Sequence, residues 1–489
     1  MNIKVNNYTL SEEQSLPIIE NPNISMIVAG AGSGKTLTIV GKIKYMLDNS
    51  LIKYNEICVI TYTNKAVDSL KEKINNITSN NIDVFTFHKL ALNIIKKANI
   101  NYNIASDNLL EYIIDEFFYS KAFGNKILLK YIYNLFHIYI FKTNNNYNKI
   151  LNSKEYKDFK KTFISFISYI RANNLSNKWN ELLNNNKYNK ELLIIYCIYT
   201  IYLNELESSN LLDFDKMINV ATNLIKNKQV HIPYKLIIID EFQDTSLLRF
   251  NLIKEIVSIN NSKLCVVGDD YQSIYRFQGC DLSLFLNFKN YFNDVKVYFL
   301  NKTFRNSQEL INIAGNFIIK NPKQIKKNLI SDIHLTNPIK IIKYNNKNIL
   351  LKVIKSLPLN KEILILGRNN FDINKYLNNY KLIDNNLIIP NDNHKLKYMT
   401  VHSSKGLESD IVIALNMIDD IYGFPSKIKN SKLLDLLKEK EEYPYEEERR
   451  LFYVALTRTK SYVYLLVSND NPSKFIKELK NLQNEDFLS

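Results

Sequence analysis

Glycine, proline, cysteine, tryptophan and arginine are all scarce in this chain of 489 residues. Glycine occurs 11 times, proline 10 times, cysteine four times and tryptophan once. The cysteines, Cys58, Cys197, Cys265 and Cys280, lie far apart, and Cys58 and Cys265 sit in strand-like apolar runs. Such spacing argues against a disulfide framework or a structural metal and fits a reducing, intracellular setting, cytoplasm or nucleus. No run of eighteen apolar residues occurs, and the opening stretch MNIKVNNYTLSEEQ lacks the apolar centre of a signal peptide. A membrane span is therefore excluded, and a soluble protein with no membrane partner is expected.

Apolar residues make up 46% of the chain, enough at this length for two or more domains with sizeable cores. Lysine and arginine total 64 against 49 acidic residues, a net charge of +15. A surplus of that size points to a polyanionic partner, with nucleic acid the leading candidate. A second reading stays open, because Asn, Lys and Ile crowd the chain as an AT-rich genome would dictate, and lysine from that drift raises the charge without any partner. The same drift makes each arginine informative. Only eight survive, at 171, 249, 276, 305, 368, 449, 450 and 458, positions where a planar guanidinium is the better tool than an ammonium.

Short β-branched runs alternate with helical patterns at 24–29, 56–61, 82–86, 235–240, 263–267 and 295–300. Apolar on both faces, they read as parallel strands under helices. Between 89 and about 230 the spacing turns helical, in ALNIIKKA, LLEYIIDEFFYS, YIYNLFHIYIF and ELLIIYCIYTIYLNEL, with the Asn-rich breaks NNNYN and LLNNNKYN read as loops. A second strand series follows at 338–344, 362–367, 397–402, 410–416 and 462–467. The expected fold is α/β, two parallel-sheet units with a helical insertion in the first.

Three of the 11 glycines fall at Gly30, Gly32 and Gly34, inside AGAGSGKT, residues 29–36. The stretch follows a strand and opens a helical pattern, the context a phosphate-binding loop requires. Ala29, Gly30, Ala31, Gly32, Ser33 and Gly34 would turn backbone N–H groups around phosphates, Lys35 would add a point charge, and Thr36 would place a hydroxyl on Mg²⁺. The apolar run IIID ends in Asp240 and Glu241. Acids at a strand end are often no more than loop solvation. Beside Lys35 they gain a second reading, with Asp240 near the metal and Glu241 orienting or deprotonating a water at the terminal phosphate.

DEFQDTS with GDDYQSIYRFQG at 268–279 resembles motifs II and III of the UvrD/Rep/PcrA group of superfamily 1 DNA helicases. Gln14 in LSEEQ then resembles the Q motif, TYTNKAVDSL motif Ia, TFHKLA motif Ib, KTFRNS motif IV, MTVHSSKGLE motif V and EEERRLFYVALTRTK motif VI. The resemblance runs from about residue 10 to about 479 and implies two RecA-like domains. Residues 1–88 and 230–300 would form the first, 89–229 its helical insertion, and 301–489 the second. It implies an ATP- and Mg²⁺-dependent helicase moving 3′ to 5′ on single-stranded DNA and at single/double-strand junctions, with repair and replication proteins as further partners.

The resemblance assigns roles residue by residue. Arg305 and Arg458 would reach the γ-phosphate from the second domain, Gln272 would sense that phosphate, and Glu408 would contact the ribose. Thr61, Tyr62, Asn64, Thr86, His88, Tyr275, Phe277 and His402 would meet DNA, the aromatic faces by stacking on bases. His88 has no neighbouring ligand-type residues, so zinc is not expected there. Leu37 stands where relatives carry an arginine against the adenine, Phe304 where they carry a stacking tyrosine, and Gln278 where an arginine is common; the base contact would then rest more on Gln14. ILILGRNN and MTVHSSKG are separated by 28 residues, where relatives hold a large inserted subdomain, so a short linker near 371–397 is expected. Two alternatives remain: a translocase that displaces proteins with weak unwinding, and an ATP-gated single-strand clamp.

Overall fold

The computed structural model describes residues 3–123, 125–136, 147–184, 187–346, 348–428, 431–438 and 441–486. The helical stretch expected at 131–141 is described only to Phe136, and both Asn-rich breaks fall partly outside the described residues.

The six early apolar runs form one sheet: β1 (Ile24–Ala29), β2 (Ile57–Thr61), β3 (Asp83–Thr86), β4 (Leu236–Ile239), β5 (Lys263–Gly268) and β6 (Val295–Leu300). The order is β6-β1-β5-β4-β2-β3, and every pairing is parallel. Every residue of β1, β2 and β4 is buried, as expected of strands covered on both faces. On one face the helix Lys35–Asp48 packs Ile39, Val40, Ile43 and Met46; the other is covered by Phe87, Leu90, Phe250 and Leu252. Only β5 separates β1 from β4, so residues far apart in sequence leave the sheet side by side. The loops after β1, β4 and β5 emerge at its carboxyl edge, where ligands bind in open α/β sheets.

Of the span 89–229, the helices Phe87–Lys97 and Phe214–Lys226 pack into this first core through Leu90, Ile94, Met217 and Ala221. The intervening helices, including Lys154–Ala172 and Asn189–Ser208, have a core of their own around Phe163, Phe166, Ile195 and Ile198. Helical spacing announces an apolar face but does not say which core receives it.

The second sheet comprises β7 (Ile339–Tyr344), β8 (Glu362–Gly367), β9 (Lys381–Ile383), β10 (Asn386–Ile388), β11 (Lys395–Thr400), β12 (Ser409–Ala414) and β13 (Thr459–Ser468), in the order β7-β13-β12-β8-β11-β10-β9. Its first five strands run parallel; β10 and β9 are antiparallel. The segment expected as a linker near 371–397 is thus a hairpin that extends the sheet. Its turn is Asp384-Asn385, both at positive φ (47° and 67°), a two-residue connection whose twist matches the flanking strands.

The two units share apolar contacts. Ala31, Tyr271 and Ile274 of the first pack into the second unit's core with Leu310, Phe317 and Tyr453. Leu433, Leu434 and Leu437, after β12, are buried in the core of the helical insertion. Among the described residues, no helix is long and apolar enough to cross a membrane.

Candidate functional site

Gly32 and Gly34 hold φ of +73° and +79°, the left-handed region where a side chain is strained. Space is closed there as well. A Cβ on Gly32 would lie 2.6 Å from Arg305 Cβ and 2.7 Å from Thr303 Oγ1, and one on Gly34 would lie 2.4 Å from Gln14 Nε2. Gly34 leads directly into the helix Lys35–Asp48, whose first-turn N–H groups and dipole favour an anion. Thr303 Oγ1 donates to Ala31 O at 2.7 Å and Phe304 N to Gly32 O at 3.0 Å, so the segment after β6 is laced onto the loop. Ala29 ends β1, and Gly30 lies against Leu329. Gln14 is 2% exposed; its Oε1 accepts from Ser11 N and its Nε2 donates to Ser33 O, both at 3.0 Å. Expected at a base, its amide instead braces the loop from behind.

Lys35 Nζ and Glu241 Oε1 are 3.0 Å apart. Burial alone would lower the Lys35 pKa, but the charges of Glu241, Asp269 and Asp240 more than offset it and leave the group raised. Burial likewise pushes the Glu241 carboxyl up, and Lys35, Lys405 and Gln243 pull it below its ordinary value. Asp240 moves the opposite way, raised by burial and by the Glu241 charge. Two adjacent carboxyls driven apart is the pattern of a site that assigns them different tasks. Glu241 adopts φ +53°, a costly conformation for a non-glycine residue. Its N–H is met by Asp240 Oδ1 at 2.9 Å and its Oε2 by Gln243 Nε2 at 2.5 Å.

From the second unit, Arg458 donates to Gln272 Oε1 at 2.8 Å and to Leu407 O at 3.2 Å. Burial, with Arg305 close by, lowers its pKa to about 10. Gln272 Nε2 in turn donates to Asp269 Oδ2 at 2.6 Å. Arg305 Nε and Nη2 each lie 2.7 Å from Glu408 Oε2. Glu408, expected at a ribose, is therefore engaged by Arg305, with Lys460 3.5 Å from its other oxygen. With the Glu408 side chain 42% exposed, a pair of this kind is worth about 0–1 kcal/mol.

One cleft of about 1040 Å³ is lined by Gly32 to Leu37, Asp240, Glu241, Gln272, Phe304, Arg305, Glu408 and Arg458, together with Thr61, Tyr62 and Tyr275. Leu37, Phe304 and Ile333 give it an apolar stretch suited to a planar base. Thr36 and Asp240 offer hard oxygen donors beside the phosphate loop, a donor set that fits Mg²⁺.

The expected DNA residues fall into two groups. Tyr275 donates its hydroxyl to His402 O at 3.1 Å, and Phe277, 52% exposed, stands edge-on to both the Tyr275 and His402 rings at 6.1 and 5.6 Å. Burial, with Arg368 nearby, holds His402 neutral, its pKa lowered to about 4. Elsewhere Thr61 is buried at the end of β2, Asn64 is exposed on the helix it opens, and Thr86 caps the helix Phe87–Lys97 by accepting from Lys89 N at 3.3 Å. Tyr62 rests on Phe87 at 5.3 Å with Arg249 5.8 Å from its ring centroid, and His88 rests on Phe214 at 4.6 Å. Burial, with Arg249 nearby, takes His88 to about 4.

Several participants were given no site role by the sequence reading. Lys405 pairs with Asp244 and donates to Gln272 O at 2.7 Å; Arg450 Nε donates to Ser273 O at 2.6 Å; Lys327 pairs with Asp269 and Asp270. Lysine is too common here to stand out. Position between MTVH and GLE was the one clue for Lys405.

A glycine-lined phosphate cradle, a carboxylate strand end beside it and guanidiniums supplied by the second unit define a P-loop protein with two RecA-like units. The chain belongs to the UvrD/Rep helicase family: the UvrD/REP helicase N-terminal domain matches residues 10–293. It is 27% identical to DNA helicase IV of Escherichia coli, over 98% of this chain and 71% of that protein. To the ATP-dependent DNA helicase Rep of Buchnera aphidicola it is 31% identical, over 69% of this chain and 48% of Rep. To a probable DNA helicase of Mycoplasma pneumoniae it is 24% identical, over 97% and 88%. The chain thus spans about half of Rep and most of the mycoplasma protein.

Proposed function

We propose that the chain is a DNA helicase that hydrolyses Mg-ATP between its two units and moves 3′ to 5′ along single-stranded DNA, acting at single/double-strand junctions. The observation that carries this reading is the single cleft in which Lys35 and Glu241 of one unit meet Arg305 and Arg458 of the other. The names of the relatives, DNA helicase IV and ATP-dependent DNA helicase Rep, support the substrate class. Polarity rests on family resemblance.

In this reading the phosphates of ATP lie over the loop 30–36 and take Lys35 from Glu241. A magnesium ion held through Thr36 and Asp240 would supply charge neutralisation at the phosphate oxygens. Released from Lys35, Glu241 orients a water towards the γ-phosphate and accepts its proton, while Gln243 keeps the carboxylate aimed. Arg305 leaves Glu408 for the transferring phosphoryl group, and Arg458 joins it while still contacting Gln272, so the second unit is drawn over the nucleotide. Because Gln272 and Tyr275 lie in one short loop, that closure moves the aromatic surface on which bases stack.

Phosphate release should rise when single-stranded DNA is added, and a duplex with a 3′ overhang should be unwound in preference to one with a 5′ overhang. Equal rates with and without DNA would overturn the reading, and a 5′ preference would reverse the polarity. A second reading, a translocase that displaces proteins but separates strands poorly, draws on the hairpin β9–β10, which is all that residues 381–388 provide where relatives hold a large subdomain. Strand-displacement and protein-displacement assays run side by side separate the two.

A further inference from the structure

Leu37, Phe304 and Ile333 form the apolar stretch of the cleft, where a base would lie once phosphates occupy the loop 30–36. Phe304 is 53% and Ile333 36% exposed, so their apolar surface is open rather than closed into a core. Such side chains pack on the faces of a base but carry no donor or acceptor for its edge. The backbone groups beside them are engaged elsewhere. Phe304 N–H donates to Gly32 O at 3.0 Å, Ile333 N–H donates to Ser331 Oγ at 3.1 Å, and Ile333 O accepts from Gln308 N–H at 2.8 Å. Lys302, 5.8 Å from the Phe304 ring centroid, pairs with Asp332 at 2.6 Å, and neither is among the residues lining the cleft. Gln14, the amide that the sequence offers to a base, does not line the cleft either. Turning it towards a base would strip a partner from Ser33 O, on a residue 1% exposed, and undo the capping box of the helix Glu12–Ile19.

We propose that this site grips a triphosphate and the flat faces of a base without reading the edge of that base. Its substrates are then nucleoside triphosphates as a class, purines ahead of pyrimidines by ring area, and not ATP alone. The proposal deepens the hydrolytic reading above and rests on it. Adenine is told from guanine by hydrogen bonds to the ring edge. A site built to make them rejects the wrong partner by about 10⁴-fold or more, because its own polar groups are left unpaired, whereas an apolar slot discriminates weakly. Here the amide is committed to bracing the phosphate loop, and the stretch left for the base is apolar. Exchanging one purine for the other leaves the packed faces nearly unchanged.

The test measures kcat/KM of the full chain for ATP, GTP, CTP and UTP as separate substrates, with Mg²⁺ and saturating oligo-dT, for wild type, Gln14→Ala and Phe304→Ala. In wild type the ATP and GTP values should lie within about tenfold of each other, with CTP and UTP lower but hydrolysed. Gln14→Ala loosens the loop, so both purine values should fall by a common factor and their ratio should stay put. Phe304→Ala removes packing on the base face and should likewise lower both purine values together. A wild-type preference for either purine beyond tenfold would overturn the proposal. So would a Gln14→Ala variant that loses ATP hydrolysis selectively, since Gln14 would then be reading adenine. The wild-type comparison decides the matter even if Gln14→Ala does not fold. Hydrolysis of ATP alone would remove this inference and leave the proposed function standing; hydrolysis of none of the four would remove both.

Discussion

At the scale of single residues, arginine scarcity was the most productive clue, for a reason the structure makes physical. Arg305 and Arg458 stand at the cleft, and Arg450 of the second unit ties the Ser273 carbonyl of the first. Three of the remaining five are structural forks: Arg171 onto Asp213, Arg368 onto Glu448 and Arg449 onto Glu478, each a planar geometry lysine does not reproduce. Glu241 shows how strain and charge combine. Its left-handed backbone turns the carboxylate towards Lys35, and Lys35 keeps it ionised. Glu241→Gln should retain ATP and DNA binding while turnover drops by two orders of magnitude or more, roughly the size of a lost general base; phosphate release under saturating ATP checks this, and near-normal turnover would remove Glu241 from the role. What was illegible at this scale is the choice of partner. Gln14 is visible in the sequence as a Q-motif residue, but its engagement with Ser33 depends on the helix Glu12–Ile19 docking behind the loop. Glu408 likewise pairs with Arg305 because both face the same cleft.

At the scale of elements, strands were legible because burial on both faces leaves uninterrupted β-branched runs; every expected strand is present, including both that end at the phosphate loop and the acids. The hairpin β9–β10 was missed because its strands are three residues each and Leu382, Ile383 and Ile388 are exposed, which erases the apolar alternation that marks a strand. The signal that remained was Asp384-Asn385 between short apolar runs. The leucines at 433–437 were also silent, since an apolar triplet in a loop does not name its receptor. Their burial in the helical insertion ties that insertion to the second unit. Leu434→Ala with Leu437→Ala should weaken this anchor by about 2 kcal/mol per leucine. Amide exchange in the helix Lys154–Ala172 should accelerate accordingly while β1 and β4 keep their protection; uniform protection in both would show that the leucines anchor nothing.

At the scale of the whole molecule, two sheets meet so that each supplies what the other lacks. The first unit carries the glycine loop, Lys35 and the carboxylates; Arg458 comes from immediately before β13 and Arg305 from the segment that leads from β6 into the helix Gln308–Ile318 of the second unit. Ala31, Tyr271 and Ile274 in the second unit's core keep the two in register. The doubly covered sheets could be read from the chain because strand and helix periods differ; their mutual placement could not, because it depends on a few contacts such as Lys405–Asp244 and Thr303–Ala31 whose residues are ordinary in isolation. The division of labour is most directly tested by ATP turnover of Arg305→Ala in the presence of single-stranded DNA, with nucleotide affinity measured on the same protein. Turnover should fall by about 10³-fold or more while ATP still binds. Undiminished turnover, or a change in affinity alone, would mean that the Arg305 guanidinium does not act in the proposed phosphoryl transfer.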